Sequence, residues 1–218
     1  EGPSDETAFA LIFERIFSSD AVSFDVVHGD VTTRLGGRNA RNAVRQQLID
    51  HVMNEVYDWS DLLEVVHIVD SDGVYIDDGK VIASDSDRPE YGLELVKAPN
   101  PKGIRRRNHA KAAALNELCG VKEITVNRKP VPYGIYFLSR NLEHALHGVV
   151  DGVSDREKER LAREFQRKYR EDLNGFAEFM RDEIGIAGDY ASTWNHLREG
   201  ENSLARGSNL HLFLPDQM

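Results

Sequence analysis

A chain of 218 residues, 40% hydrophobic and 29% charged, has the composition of a globular protein of one generous domain, or of a domain with a smaller appendage. Its formal net charge of -10 argues against nucleic-acid binding driven by bulk attraction to phosphate. No run approaches the roughly 20 apolar residues of a membrane span, the acidic opening Glu1-Gly2-Pro3-Ser4-Asp5-Glu6 is unlike a secretion signal, and the single Cys119 cannot form an internal disulfide, so a reducing, cytoplasmic setting without a membrane partner is expected.

In chain order, Phe9, Ile12, Phe13 and Ile16 fall at helical spacing behind a candidate cap, Asp5. The β-branched and aromatic run Ser23–Gly29 reads as a strand, and Leu35-Gly36-Gly37-Arg38 as a turn. From Asn39 to about Tyr57, Val44, Leu48, Val52 and Val56 share one helix face. Leu62–Val69 is a buried strand by its apolar run, stopping at Asp70-Ser71-Asp72-Gly73. Residues 74–108 read as an irregular excursion with a short hairpin around Ile76–Ile82 that turns at Asp78-Gly79. A helix over His109–Cys119, a strand over Gly134–Leu138 and a helix from Ser139 to His147 follow. Asp155–Ile184 reads as one long charged helix capped by Ser154, 190–199 as a last helix, and 200–214 as a turn and strand.

Alternating strands and helices over residues 1–150 call for an α/β fold with a mainly parallel sheet flanked by helices, and residues 151–218 for a mostly helical extension packed on it. In the extension, Leu161, Phe165, Tyr169, Leu173, Phe176, Phe179 and Met180 form an apolar stripe that can dock on the sheet domain or on a second copy, a homodimer. Basic residues cluster twice, in Lys102–Lys111 with Arg105, Arg106 and Arg107, and in Arg34, Arg38, Arg41 and Arg45. A phosphate backbone can meet such patches while the chain stays acidic overall; equally, they can be solvated faces.

Ligands of open α/β sheets bind beyond the carboxyl ends of the strands. Asp70 and Asp72 stand there, two residues apart, so that both side chains can point the same way. Neighbouring carboxylates repel, and a hard divalent cation such as Mg²⁺ or Mn²⁺ relieves that repulsion. Gly73 then permits a sharp turn. An Asp-x-Asp turn with two solvated acids would look the same.

The opening Glu1-Gly2-Pro3-Ser4-Asp5-Glu6 resembles the first motif of the TOPRIM domain, in which a strand ends in Glu-Gly and an acid follows before a helix; Asp70-Ser71-Asp72-Gly73 resembles the second. The resemblance covers roughly residues 1–150, and the strand that precedes the first motif in the family is expected upstream of Glu1. It implies a TOPRIM-like (Rossmann-like) sheet, Mg²⁺ (or Mn²⁺) as cofactor, Glu1 as general acid/base or ligand, and Asp70 and Asp72 as ligands. Leu138-Ser139-Arg140-Asn141-Leu142-Glu143 is similar to a later motif of the overcoming-lysogenization-defect (OLD) type of phage-defence nucleases. By that likeness Glu143 and Asp5 add ligands for a second metal, and Ser139 lies near substrate.

The expectation is a metal-dependent nuclease acting on nucleic acid, DNA ahead of RNA, in bacterial antiviral defence. Arg105, Arg106, Arg107, Lys111, Ser139 and Arg206 are its candidate nucleic-acid contacts. The catalytic lysine of such enzymes stays open between Lys111, Lys129 and Lys168. The chain has no Gly-x-x-x-x-Gly-Lys-Ser/Thr, so a partner ATPase or other defence-system subunit would have to be separate. A non-catalytic interaction module and a small-molecule phosphohydrolase are the rivals. Zinc is disfavoured, because His144 and His147 lack a full ligand set.

Overall fold

The structure, a computed structural model, describes residues 3–17, 26–27, 31–32, 39–54, 58–150 and 152–215. In chain order the elements are α1 (Pro3–Phe17), α2 (Ala40–Asn54), β1 (Val65–Asp70), β2 (Val81–Ala83), β3 (Glu90–Tyr91), β4 (Val96–Ala98), α3 (Pro101–Leu118), β5 (Glu123–Val126), β6 (Lys129–Ser139), α4 (Leu142–His147), α5 (Asp155–Tyr169), α6 (Leu173–Glu178), α7 (Tyr190–Arg198) and β7 (Gly207–Ser208).

Strand β6 organises the molecule. It pairs parallel with β1, from Val65 opposite Tyr133 to Asp70 opposite Leu138, and antiparallel with β5 and β7. Successive side chains of a strand point to opposite faces. Val131, Tyr133, Ile135 and Phe137 accordingly enter one core with Val69, Leu115 and Leu118 of α3, Val44 and Leu48 of α2, and Trp194 of α7. Leu138 and the half-buried Tyr136 and Ile68 enter a second core with Phe9, Ile12 and Phe13 of α1, Leu142 and Leu146 of α4, and Phe165 and Phe176 of α5 and α6. Residues on both sides of position 150 therefore share this second core. The apolar stripe of the C-terminal part is buried within the chain, against α1 and α4, with Phe9 edge-on to Phe165 at 6.0 Å and to Phe176 at 6.4 Å. Each phenylalanine so buried contributes about 1.5–3 kcal/mol of hydrophobic stabilisation.

The architecture is α/β, but the sheet is mixed rather than mainly parallel. Residues 123–139 fold as an antiparallel hairpin, and its two-residue turn, Asn127-Arg128, has both φ values positive, 45° and 68°. Such turns are ordinarily marked by Asn-Gly or Asp-Gly, and an arginine in the second position hid this one. The hairpin expected at Ile76–Ile82 does not form. Asp77 accepts a hydrogen bond from the Gly79 N–H at 2.7 Å and caps a 3-10 turn, after which β2 pairs parallel with β4 in a separate sheet of order β2-β4-β3. The long C-terminal helix is broken. Asp172 accepts from the Gly175 N–H at 2.9 Å and starts α6, which ends in a π-helical turn, Phe179–Glu183. Helix α3 begins eight residues before the expected His109, since Asn100 caps it and Pro101 is favoured at a first helical position. Helix α1 begins at Pro3, so Asp5 sits in its first turn instead of capping it. The strand expected at Ser23–Gly29 and the turn at Leu35–Arg38 lie largely outside the described residues. No helix among the described residues is long and apolar enough to cross a membrane.

Candidate functional site

Parallel pairing of β1 with β6 brings their carboxyl ends side by side. The Ser71 N–H donates to the Leu138 carbonyl at 3.0 Å, and the Asp72 N–H to the Arg140 carbonyl at 2.8 Å. Asp70 and Asp72 of one strand end thus meet Ser139, Arg140 and the start of α4, with Glu143, of the other. Alternation along β1 sends Asp70 to the face of Ile68, which is the face covered by α1 and α4. Asp70 is half-buried.

Contrary to the expectation from their spacing, the two aspartates do not point the same way: Asp70 lies on the face of α1 and α4, whereas the left-handed backbone at Asp72 turns its carboxylate to α3, whose Leu115 and Leu118 enter the other core. Asp72 takes a left-handed backbone, φ 51°, and its Oδ2 lies 2.7 Å from Nζ of Lys111 on α3, a side chain only 1% exposed. Arg107 Nη2 donates to the Asp72 carbonyl at 3.2 Å. Gly73 follows at φ 66°, and a Cβ there would stand 2.4 Å from Leu204 Cδ2, so only glycine fits the turn.

Glu143 is 3% exposed, and its Oε1 has no hydrogen-bond partner among the described groups. Burial pushes its carboxyl pKa up; Lys158 opposes that shift, and Asp5 of α1 adds to it. The structure therefore sets Asp5 and Glu143 within electrostatic reach of each other. Glu1 lies outside the described residues, two positions before α1 starts. Among the described residues no three His, Cys, Asp or Glu side chains are grouped closely enough to form a ready metal cluster.

A cationic wall stands beside Asp72. Arg140 is 2% exposed; its Nη1 donates to the Tyr91 carbonyl at 2.7 Å. The Tyr91 ring lies under two guanidinium groups, with centroid distances of 5.5 Å to Arg140 and 5.9 Å to Arg107. Sequence reasoning missed Arg140 and Tyr91. One follows an apolar strand and the other sits in a two-residue strand, and neither position has a spacing that marks it.

Of the remaining candidate contacts, Ser139, Arg206 and Arg105 are engaged by the protein itself. The Ser139 hydroxyl is buried, donates to the Asn202 carbonyl at 3.2 Å and lies 3.1 Å from Ser71 Oγ. Arg206 Nε donates to the Ala145 carbonyl at 2.9 Å, closing the end of α4. Arg105 donates to the Val81 carbonyl at 2.8 Å and ties α3 to β2, while Arg106 is exposed.

His144 is buried in the same corner. Its Nδ1 accepts from the Arg140 N–H at 3.2 Å, which requires an unprotonated Nδ1. Burial, with Arg140 adding to it, pulls its pKa down from 6.5 to about 4. The unfolded chain therefore takes up a proton that the folded chain refuses, and stability is lost as pH falls from 6.5 toward about 4. His144→Asn, whose Oδ1 can accept the same bond, should reduce this acid loss by about 2 kcal/mol. Urea titrations at pH 7 and pH 4 measure it, and equal losses in the two proteins would refute the assignment.

No family model, curated protein or solved structure matches this chain.

Proposed function

We propose that the chain is a metal-dependent nuclease that hydrolyses phosphodiester bonds at a TOPRIM-type acidic site. The observation that carries this reading is that two parallel strands end side by side, one in Asp70 and Asp72 and the other leading into the helix that bears Glu143, where open α/β sheets bind ligands. The donors suit Mg²⁺ or Mn²⁺. They are all carboxylate oxygens, and the buried Glu143 Oε1 has no hydrogen-bond partner among the described residues, a place that a cation would fill. Asp70, Glu143 and Asp5 would hold the metal, with Asp72 and Glu1 completing the set. A bound divalent cation supplies an acidified water and neutralises charge on the phosphate.

The chain's own residues supply the rest. Lys111 of α3 fixes the Asp72 carboxylate. Arg107 and Arg140, held over Tyr91, would offer positive charge beside Asp72 to a phosphodiester. The engagement of Asp72 by Lys111 favours one rival, a non-catalytic module that keeps the pair for structure alone. Supercoiled plasmid incubated with the full chain in Mn²⁺, Mg²⁺ and EDTA separates the two. Metal-dependent conversion to nicked circles is expected, and no cleavage of plasmid or RNA in either metal would sink the proposal. Cleavage of nucleotides alone would support a small-molecule phosphohydrolase instead.

A further inference from the structure

The hairpin turn that sequence reading passed over lies at the other end of β6. Eleven strand residues separate it from Arg140, roughly 35–40 Å at about 3.3 Å per residue. There a cleft of about 480 Å³ opens between α2 and the hairpin, lined by Arg41, Asn42, Arg45, Ile124, Thr125 and Arg128. Three arginines thus converge on one concavity of a chain whose net charge is -10.

Two of them are fixed by the protein. Arg41 Nη2 donates to the Glu123 carbonyl at 3.0 Å, and Arg45 Nε to the Thr125 carbonyl at 3.1 Å. Each anchor uses one of a guanidinium's five N–H donors and holds the group at the cleft. The nearby Glu117 carboxylate is occupied, accepting from the Ala40 and Arg41 N–H groups at 3.2 and 3.3 Å. Arg128 occupies a turn position, φ 68°, that glycine fills best. Keeping an arginine there costs backbone strain and gains a third cation. All three arginines are exposed.

We infer that this cleft binds the phosphate backbone of nucleic acid, at a site separate from the acidic corner. Guanidinium forks match phosphate oxygens in pairs. Arg41 and Arg45 lie one helical turn apart, about 6 Å along the axis, which suits a strand of repeating phosphates better than one small anion. Among the described residues of the lining Ile124 alone is apolar, so they offer no anchor for a peptide side chain or an acyl chain. With the whole chain repelling polyanions, binding here depends on these side chains rather than on bulk charge.

The inference does not need the acids to hold metal, and it is tested without metal. A fluorescein-labelled 24-base-pair duplex is titrated with the full chain in EDTA, by anisotropy, between about 50 and 200 mM salt. Salt-dependent binding is expected. Arg41→Gln with Arg128→Gly should bind at least 10-fold more weakly, with a log–log salt slope shallower by about two. Arg128→Gly alone should keep or raise the unfolding midpoint, because glycine suits the turn, yet should flatten the slope by about one, which guards against a misfolded double variant. The inference is overturned if Arg128→Gly and the double variant retain parental affinity and slope, or if the parent chain does not bind at 50 mM salt. A phosphopeptide competing as well as the duplex would also overturn it.

Discussion

Asp70→Asn is expected to cut metal-dependent nicking by about 100-fold or more, at tenfold for each ~1.4 kcal/mol of charge stabilisation lost, while leaving the chain folded in EDTA. Asp72→Asn is expected to lose activity and stability together. The difference follows from the partners. Asp70 ends a strand, half-buried, and Asn has its shape. Asp72 is the carboxylate against which the buried Lys111 ammonium rests. Breaking a buried pair by removing one member costs about 3 kcal/mol or more, roughly 10 °C in midpoint for a chain of this size. Asn tolerates the left-handed backbone at position 72, so strain adds little. Lys111→Met on the Asp72→Asn background should then recover most of the stability, since apolar residues commonly replace a buried ion pair at little cost. Thermal unfolding of the three variants in EDTA, run beside nicking assays, reads all of this. Asp70→Asn nicking at the parental rate would remove Asp70 from the site. Asp72→Asn at parental stability would show that the pair with Lys111 carries no weight.

Long apolar runs were legible in the sequence and short polar devices were not. Val65–Val69 and Gly134–Leu138 announce strands because burial on both faces demands near-continuous apolar residues. The helix faces of Phe9, Ile12 and Phe13, and of Val44 and Leu48, announce themselves by period. What escaped was set by single side chains acting on the backbone: Asp77 capping a 3-10 turn, Asp172 ending one helix and starting the next, Arg128 in a glycine position. The hairpin that turns at Asn127-Arg128 is among the features that make the expected parallel sheet a mixed one. The site divides in the same way. Asp70 and Asp72 could be placed at a strand end from the apolar run before them. That Lys111 would rise from α3 to meet Asp72, and that Arg140 would turn inward over Tyr91, depends on contacts 39 and 49 residues apart in sequence. Ser139 and Arg206 fit a substrate groove by composition, whereas their hydrogen bonds tie the chain to itself.

Glu143→Gln should reverse the order of stability between metal-free and metal-loaded protein. A buried carboxylate oxygen such as Glu143 Oε1, without a hydrogen-bond partner among the described residues, is a cost that folding bears. The folded-state pKa of Glu143 is raised by burial, so the native chain holds this proton more tightly than the unfolded chain does. Stability from this group is therefore present below its ordinary value of 4.5 and is lost as pH rises through the raised one. In EDTA at pH 8 the glutamine variant should be more stable by about 1 kcal/mol, and the gap should close by pH 4, where both side chains are neutral. With Mg²⁺ at about 100 times its dissociation constant the parent chain should gain about 2.7 kcal/mol, and the variant little or none, with nicking down about 100-fold. A variant less stable than its parent in EDTA would show that the carboxylate already has a structural partner. An equal Mg²⁺ response would place the ion elsewhere. An acid retained in a buried corner at a cost to the fold is explained if a cation offsets that cost, and the crossing of the two stability curves separates this explanation from a merely tolerated charge.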